Sequence, residues 1–461
     1  MSSGRLPLVA LVGRTNAGKS TLFNRLVGEQ KAVVDPTPGV TRDPLFGTVR
    51  TARGSFLLVD TGGLDVEEGE IETKVREQTE LALAEADGIV LVVDGRVGLR
   101  AGDEEIARRV RRSGKPVWLA VNKIDTPGLD SHVADFYALG LEPVFAISAA
   151  HGRGVRELAE AIAERLGGGG PEVEPGQEAS VRVAVLGRPN VGKSSLVNRI
   201  LGQERVLVSS VPGTTRDTVD IRLESGGRSF LLLDTAGVRR RARIDARLER
   251  VVSLRSLRAL ERSEVVLVVV DAEEGCTEQD ARLASYAWRH GRALVLVVNK
   301  CDLVGGILSA RKRSEDWVAR FPWLRDVPFL FVSARTGEGT ERLLPEVSSV
   351  AERYRAEIPT RLLNTVLGKA TRDVSHPSVR GRRPSFFYAV QTGKEPPRVS
   401  VFSSAPELVR AEYARYLLRR LREAFDLSGV PIQLEFRPRS RARSKGQRPG
   451  RETAKSVAGK G

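Results

Sequence analysis

The sequence predicts an α/β protein built as two three-layer domains in tandem, each with a mostly parallel sheet, followed by a small α+β domain. Three observations predict it. Gly13, Asn16, Thr41 and Asp60 recur as Gly187, Asn190, Thr215 and Asp234, each 174 residues on. Within each copy, near-continuous apolar runs alternate with helical stretches, as strands covered by helices on both faces require. After about residue 353 that alternation stops. A chain of 461 residues is also too long for a single core.

In the first copy, residues 1–166, LVALVG, SFLLVD, GIVLVVD, PVWLAVNK and EPVFAIS read as strands. In the second, residues 181–352, VRVAVLG, SFLLLD, VVLVVVD, LVLVVNK and PFLFVS take their places. Later landmarks drift: Asn122 recurs as Asn299 at an offset of 177, and Ser148 as Ser333 at 185. Surface loops tolerate such insertions. Between the copies, GGGGPEVEPGQEAS (167–180) reads as a flexible acidic linker. Beyond it, 353–437 reads as helix, two strands (SFFYAVQT and RVSVFSS), a helix over Pro406–Phe425 and a strand (VPIQLEF). Pro359 should break or kink the first of those helices. Residues 438–461 are rich in base and poor in large apolar side chains, so they are expected to be disordered.

Apolar runs such as Val265–Val270 stop far short of the roughly 20 residues a membrane helix needs. LPLVALVG runs directly into the first glycine-rich loop and reads as a strand, not a signal peptide. Cys276 and Cys301 have no metal-type spacing, which fits a reducing cytoplasm. The net charge of +15 is unevenly placed: residues 1–166 carry 21 bases against 24 acids, and residues 354–461 carry 23 against 9. Such an excess suits an anionic partner, most simply nucleic acid, or serves only to keep the chain soluble.

GRTNAGKS (13–20) and GRPNVGKS (187–194) each lie between a strand and a helix, as a phosphate loop requires. Gly13, Gly18, Gly187 and Gly192 let backbone N–H groups close around phosphates, and the helix N-terminus adds positive potential. Lys19 and Lys193 reach the β- and γ-phosphates; Ser20 and Ser194 can ligate Mg²⁺. NKID (122–125) and NKCD (299–302) decide the base. A carboxylate at Asp125 or Asp302 accepts two hydrogen bonds from a guanine edge, and adenine offers no such donor pair. Asn122, Lys123, Asn299 and Lys300 brace that site, while Ser148–Ala149 and Ser333–Ala334 close over the base. DTGG (60–63) and DTAG (234–237) supply Asp60 and Asp234 for Mg²⁺ and the Gly63 and Gly237 N–H groups for the γ-phosphate. PGVTRD (38–43) and PGTTRD (212–217) supply Thr41 and Thr215, which would cover the Mg²⁺ when GTP is bound.

Together these motifs describe two P-loop GTPase domains, and they resemble the translation-factor-related GTPases. The tandem pair with its C-terminal domain resembles the EngA (Der) family of bacterial ribosome-assembly GTPases over residues 5 to about 437. The resemblance implies a KH-like C-terminal domain that packs on the GTPase domains and contacts ribosomal RNA. It implies a monomer binding GTP, GDP and the large ribosomal subunit, with no membrane role. No Gly-x-x-Gly clamp is present in 353–437. A Ras-like GTPase orients its attacking water with a Gln beside the DxxG glycine; here Leu64 and Val238 stand there. The resemblance points instead to K⁺, with Asn16 and Asn190 matching the loop asparagine of potassium-activated relatives. Turn geometry alone also explains an Asn in this loop.

Three further features carry less. VRRRARIDARLER (238–250) is basic where LDVEEGEIE (64–72) is acidic, so the two switch segments face different surfaces. Phe386, Phe387 and Tyr388 can stack bases, but strand alternation favours core packing. His151 and His290 have no partner at metal spacing and read as surface or loop residues. A GTPase that modifies another RNA would need a further catalytic module, and none is visible; a membrane-remodelling GTPase would need a lipid-binding helix or long coiled coil.

Overall fold

The computed structural model describes residues 6–28, 33–34, 46–60, 86–166, 180–203, 206–210, 220–234, 254–379 and 381–438. The expectations for the linker before Ser180, for the segments 64–72 and 238–250 and for the tail after Pro438 fall outside these residues.

The first sheet has six strands in the order β3-β4-β1-β5-β6-β7. They are β1 (Leu8–Val12), β3 (Phe46–Thr51), β4 (Gly54–Asp60), β5 (Gly88–Asp94), β6 (Val117–Asn122) and β7 (Val144–Ala146). All neighbours are parallel except β3 with β4. Helices α1 (Lys19–Val27), α2 (Ala101–Arg112) and α3 (Val155–Leu166) accompany it. The near-continuous apolar runs give fully buried central strands, β1 and β6 being buried at every position. This is a three-layer α/β domain.

The second sheet repeats the plan with seven strands, β14-β13-β12-β8-β11-β10-β9. Its members are β8 (Ser180–Leu186), β9 (Leu207–Ser210), β10 (Ile221–Ser225), β11 (Arg228–Leu233), β12 (Val265–Asp271), β13 (Ala293–Asn299) and β14 (Phe329–Phe331). Here β10 pairs antiparallel with β9 and β11. Helices α4 (Lys193–Leu201), α5 (Leu254–Arg262), α6 (Glu278–Arg289), α7 (Ile307–Arg320) and α8 (Leu343–Arg355) belong to this half.

Pro359 does break the helix: α8 ends at Arg355, and Pro359 is the N-cap of α9 (Thr360–Asp373). The C-terminal domain continues with β15 (Phe386–Gly393), β16 (Arg398–Ser403), α10 (Ala411–Ala424) and β17 (Gln433–Pro438). The helix expected from Pro406 begins instead as a short 3-10 turn, Pro406–Leu408, before α10. Its sheet gains a fourth strand from the other end of the chain, because β2 (Val33–Val34) pairs antiparallel with β17. Val33 and Val34 correspond by the 174-residue offset to Leu207 and Val208, which edge their own sheet as part of β9. The two copies therefore place the same strand in different sheets.

Each unit is pinned to its neighbour. Arg258 on α5 reaches Asp87 of the first copy at 2.8 Å, and Thr48 on β3 donates to Glu261. The C-terminal domain meets the second copy through apolar packing shared by Val347, Tyr354, Ile358, Leu427 and Ile432. Polar contacts add to it: Arg353 on α8 donates to the Ser428 carbonyl at 2.9 Å, and the Leu294 N–H donates to the Gly429 carbonyl at 2.8 Å. His290 is not an ordinary surface residue: it caps the end of α6, half-buried with its ring 4.4 Å from that of Tyr286 and tilted 43° to it, and burial lowers its pKa to about 4.

Candidate functional site

Both glycine-rich loops sit where β1 or β8 hands over to α1 or α4. Their glycines are required sterically. A Cβ at Gly13 would lie 2.2 Å from the Val92 carbonyl oxygen, and one at Gly187 2.5 Å from that of Val269. Gly18 and Gly192 have φ of +93° and +94°, and a Cβ at either would lie 2.2 Å from the amide nitrogen of Asn122 or Asn299. Neither helix has a side-chain N-cap or an acid in its first turn. Their leading N–H groups thus point to an anion unopposed. Lys19, buried, reaches across the loop to the carbonyls of Gly13 (2.9 Å) and Arg14 (2.8 Å). Lys193 repeats the pose on Gly187 at 2.8 Å and on Arg188. Asn16 and Asn190 are exposed and share a left-handed φ of 62°, a conformation Asn tolerates better than most residues. That is the turn geometry the sequence allowed for.

The NKxD loops close the other side. Asn122 donates to the Ala17 carbonyl and accepts from the Ala149 N–H, both at 2.9 Å. Asn299 does the same to Val191 and Ala334. One side chain thus ties the phosphate loop to the base loop. Lys123 donates to the Asn16 carbonyl at 2.8 Å and pairs with Asp94 at 2.6 Å; Lys300 pairs with Asp271 at 2.6 Å. Ser148 donates to Asp125 at 2.7 Å, and Ser333 to Asp302 at 2.5 Å. These serine bonds, with arginines adding and a little burial opposing, hold both carboxyls below the usual carboxylate range. Each site therefore presents an ionised carboxylate beside a phosphate-binding loop.

Ser20 donates to Asp60 at 2.6 Å. A hydroxyl and a carboxylate oxygen side by side, at the edge of the phosphate loop, are the hard donors Mg²⁺ takes. The second copy differs locally: Asp234 has φ of 53°, and its N–H donates to Asp220 at 3.0 Å. Ser194 opens α4 one residue after Lys193, as Ser20 follows Lys19 in α1. Thr41, Gly63, Thr215 and Gly237 lie outside the described residues.

Sequence reasoning missed three sets of residues. Asp94 and Asp271 end β5 and β12 in both copies, and that recurrence was the available signal. Arg96 pairs with Asp125, and Arg335 pairs with Asp302 through two nitrogens at 2.9 and 2.5 Å. Arg96 follows β5, whereas Arg335 lies in the loop after β14, so the copies draw the arginine from different loops. The positions equivalent to them, Glu273 and Ala150, cannot make the contact. A second arginine braces each phosphate loop from behind: Arg188 grips buried Asp280 at 2.9 and 3.0 Å, and Arg14 lies 3.6 Å from Asp103. Burial raises the Asp103 pKa against the pull of Arg14.

A glycine-built phosphate loop, an adjoining acidic base site and the alternating sheet define a P-loop GTPase, here twice over in one chain. Comparison with known proteins carries this further. A family described as 50S ribosome-binding GTPase matches residues 8–123 and 182–300, and the KH-domain-like C-terminal domain of EngA bacterial GTPases matches 357–437. The elongation factor Tu GTP-binding domain matches 253–353. GTPase Der of Geobacter metallireducens is 45% identical over 438 residues, covering 95% of this chain and 99% of that protein. GTPase Der of Bacillus cytotoxicus is 44% identical over 436 residues, covering 94% and 99%. Among solved structures, Era of Aquifex aeolicus bound to GDP and aluminium fluoride matches at 21% identity and a TM-score of 0.29, covering 56% of this chain and 92% of its own. The G domain of the T. maritima FeoB iron transporter matches at 29% identity and 0.27, covering 35% and 99%. The chain belongs to the Der (EngA) family of GTPases: it binds GTP and hydrolyses it, and its C-terminal domain is KH-like.

Proposed function

We propose that this GTPase is a nucleotide-operated switch in assembly of the large ribosomal subunit, acting in the cytoplasm as a monomer. The observation that carries the reading is the match of both copies to a family described as 50S ribosome-binding, joined to a KH-like domain in the most basic part of the chain. No described helix is long and apolar enough to cross a membrane. The domains are taken as 1–166, 181–352 and 353–437, with a linker at 167–180 and a tail at 438–461.

In each site the chain's own residues have separable tasks. The N–H groups of the loop through Gly13, Asn16, Gly18 and Lys19, and through Gly187, Asn190, Gly192 and Lys193, hold the phosphates. Asp125 and Asp302 accept from the guanine edge; Asn122, Lys123, Asn299 and Lys300 hold them in register with the loop. Ser148, Ala149, Ser333 and Ala334 line the base. Ser20 with Asp60 and Thr41, and Ser194 with Asp234 and Thr215, would hold Mg²⁺, which would supply neutralisation of the phosphate charge. Gly63 and Gly237 sense the γ-phosphate. Leu64 and Val238 cannot orient water, so we assign activation to K⁺ near Asn16 and Asn190, whose exposed amide oxygens can reach a cation, and to the bound partner.

Co-sedimentation with large ribosomal subunits tests the reading, comparing GDP with a non-hydrolysable GTP analogue in K⁺ buffer. Binding restricted to the analogue supports it, and equal or absent binding in the two states overturns it. Replacing K⁺ by Na⁺ should slow hydrolysis if the cation assignment holds.

A further inference from the structure

The aromatic triplet at 386–388 does not divide as strand alternation expects. Phe386 turns inward, stacked on Tyr413 at 5.3 Å and beside His376 and Phe436. The pairing of β15 with β16 then slips between Phe386 and Tyr388. Such a bulge adds one residue and breaks the alternation. Phe387 and Tyr388 are consequently both exposed, at 45% and 38%. Tyr388 stacks on Phe402 of β16, ring centroids 4.4 Å apart and planes 16° from parallel. The register continues the row from Phe402 to Arg437 on β17. The opposite face, through Ala389, Val401 and Leu434, is buried.

Positive charge converges on the same end of the sheet. β15 runs antiparallel to β16, and β16 parallel to β17. The start of β15 and the ends of β16 and β17 therefore lie together. The turn before β15 carries Arg382 and Arg383, and β17 carries Arg437 near its end; Arg437 pairs with Glu435 at 2.7 Å, and Arg382 lies 3.9 Å from Glu407. This is an outward aromatic cluster with arginines at its edge, in a domain whose residues 354–438 carry 15 bases against 8 acids.

We propose that this sheet face is a stacking platform for the unpaired bases of single-stranded RNA. It rests on the reading that RNA is the partner, and it names where and in what form the RNA is held. Every base has a π-face, so an exposed ring grips a strand without choosing its sequence, while flanking arginines meet the phosphates. A duplex hides those faces in its own stack. With no Gly-x-x-Gly clamp in this domain, the strand needs another hold, and the bulge supplies one.

The test uses the full chain and a fluorescein-labelled single-stranded RNA of roughly 12 nucleotides, against the same sequence as a duplex. Anisotropy titrations compare the parent with Phe387→Ala/Tyr388→Ala and with Phe387→Leu/Tyr388→Leu, which keeps apolar surface without a π-face. Both variants should lose about ten-fold or more in affinity for the single strand, with GTP hydrolysis and melting temperature unchanged. Parent-like binding by either variant would overturn the platform, as would a parent that prefers the duplex or binds only an acidic protein. Subunit co-sedimentation is read separately: its loss alongside intact single-strand binding defeats the ribosomal reading and leaves the platform standing.

Discussion

Asp87 and Glu264 stand at the same place in the two repeats, one residue before β5 and β12, and each binds an arginine that joins its copy to the neighbouring domain. Asp87 accepts from Arg258 of the second copy at 2.8 Å. Glu264, buried, accepts from Arg182 at 2.8 Å and from Arg355, where α8 gives way to the C-terminal domain, at 2.6 Å. Arg182 also lies 3.9 Å from Glu395 of that domain. Removing one partner of a buried ion cluster leaves the other charges uncompensated. Glu264→Ala should therefore cost roughly 3 kcal/mol in chemical denaturation. Asp87→Ala, at a more open pair, should cost about 1–2 kcal/mol and loosen only the first copy. Equal losses would show that burial does not set the difference.

Gly18 and Gly192 yield a second prediction, about independence. Alanine at either meets the Asn122 or Asn299 amide at 2.2 Å from a left-handed backbone. The asparagine that ties phosphate loop to base loop must move, so both halves of the site fail together. Gly18→Ala should abolish one of two nucleotide sites in a fluorescent-GTP titration and leave the second, and Gly192→Ala the reverse. Loss of both sites from one substitution would mean the copies do not fold and bind separately.

These motifs were legible because their spacing and residue types are dictated by one ligand. The long apolar strands were legible for a related reason: burial on both faces leaves little choice of side chain. The strands that sequence reading passed over, β2, β3, β9 and β10, all pair antiparallel, and the sequences of β3 and β10, FGTVRT and IRLES, mix polar and apolar residues. The pairing of β2 with β17 joins residues roughly 400 apart, and no local pattern encodes such a contact. The outward turn of Phe387 and Tyr388 was hidden because a bulge depends on the partner strand. The arginines on Asp125 and Asp302 escaped notice because the repeat itself misleads there: the copies use non-equivalent positions.

The depressed carboxyls give a pH dependence with a definite sign. Asp125 and Asp302 are stabilised in the charged form, first by Ser148 and Ser333. Guanine binding that needs the carboxylate is thus retained above the depressed pKa and lost as pH falls through it. Ser148→Ala removes the leading cause, so loss of GDP affinity at the first site should begin at a higher pH than in the parent. Isothermal titration between about pH 2.5 and 5 reads the shift. An unchanged or lower onset would contradict the assigned cause.

Burial makes the two cysteines inert by the same electrostatic logic with the opposite sign. Cys276 and Cys301 are buried, and desolvation pushes their thiols up to about 12 and about 11. The reactive species is the thiolate. At pH 8 the native chain should leave both thiols unmodified by a disulfide reagent, and unfolding in guanidinium should release both at once. A thiol that reacts in the native state would contradict its burial.

Arg96 and Arg335 test whether the two sites are equal. Each occupies a carboxylate oxygen that guanine also needs, so the base must displace or share it. Exposed arginine–carboxylate pairs are weak, so displacing one costs little. If displacement is required, Arg335→Ala should tighten nucleotide binding at the second site by up to about five-fold, and Arg96→Ala the same at the first. Arg335 makes the more complete contact, with two nitrogens on one Asp302 oxygen against a single Arg96 nitrogen on Asp125. Its removal should therefore have the larger effect, chiefly on the association rate measured by stopped flow. Weaker binding in either variant would reverse the argument: the guanidinium would then be part of the guanine site, lying over the base instead of competing with it.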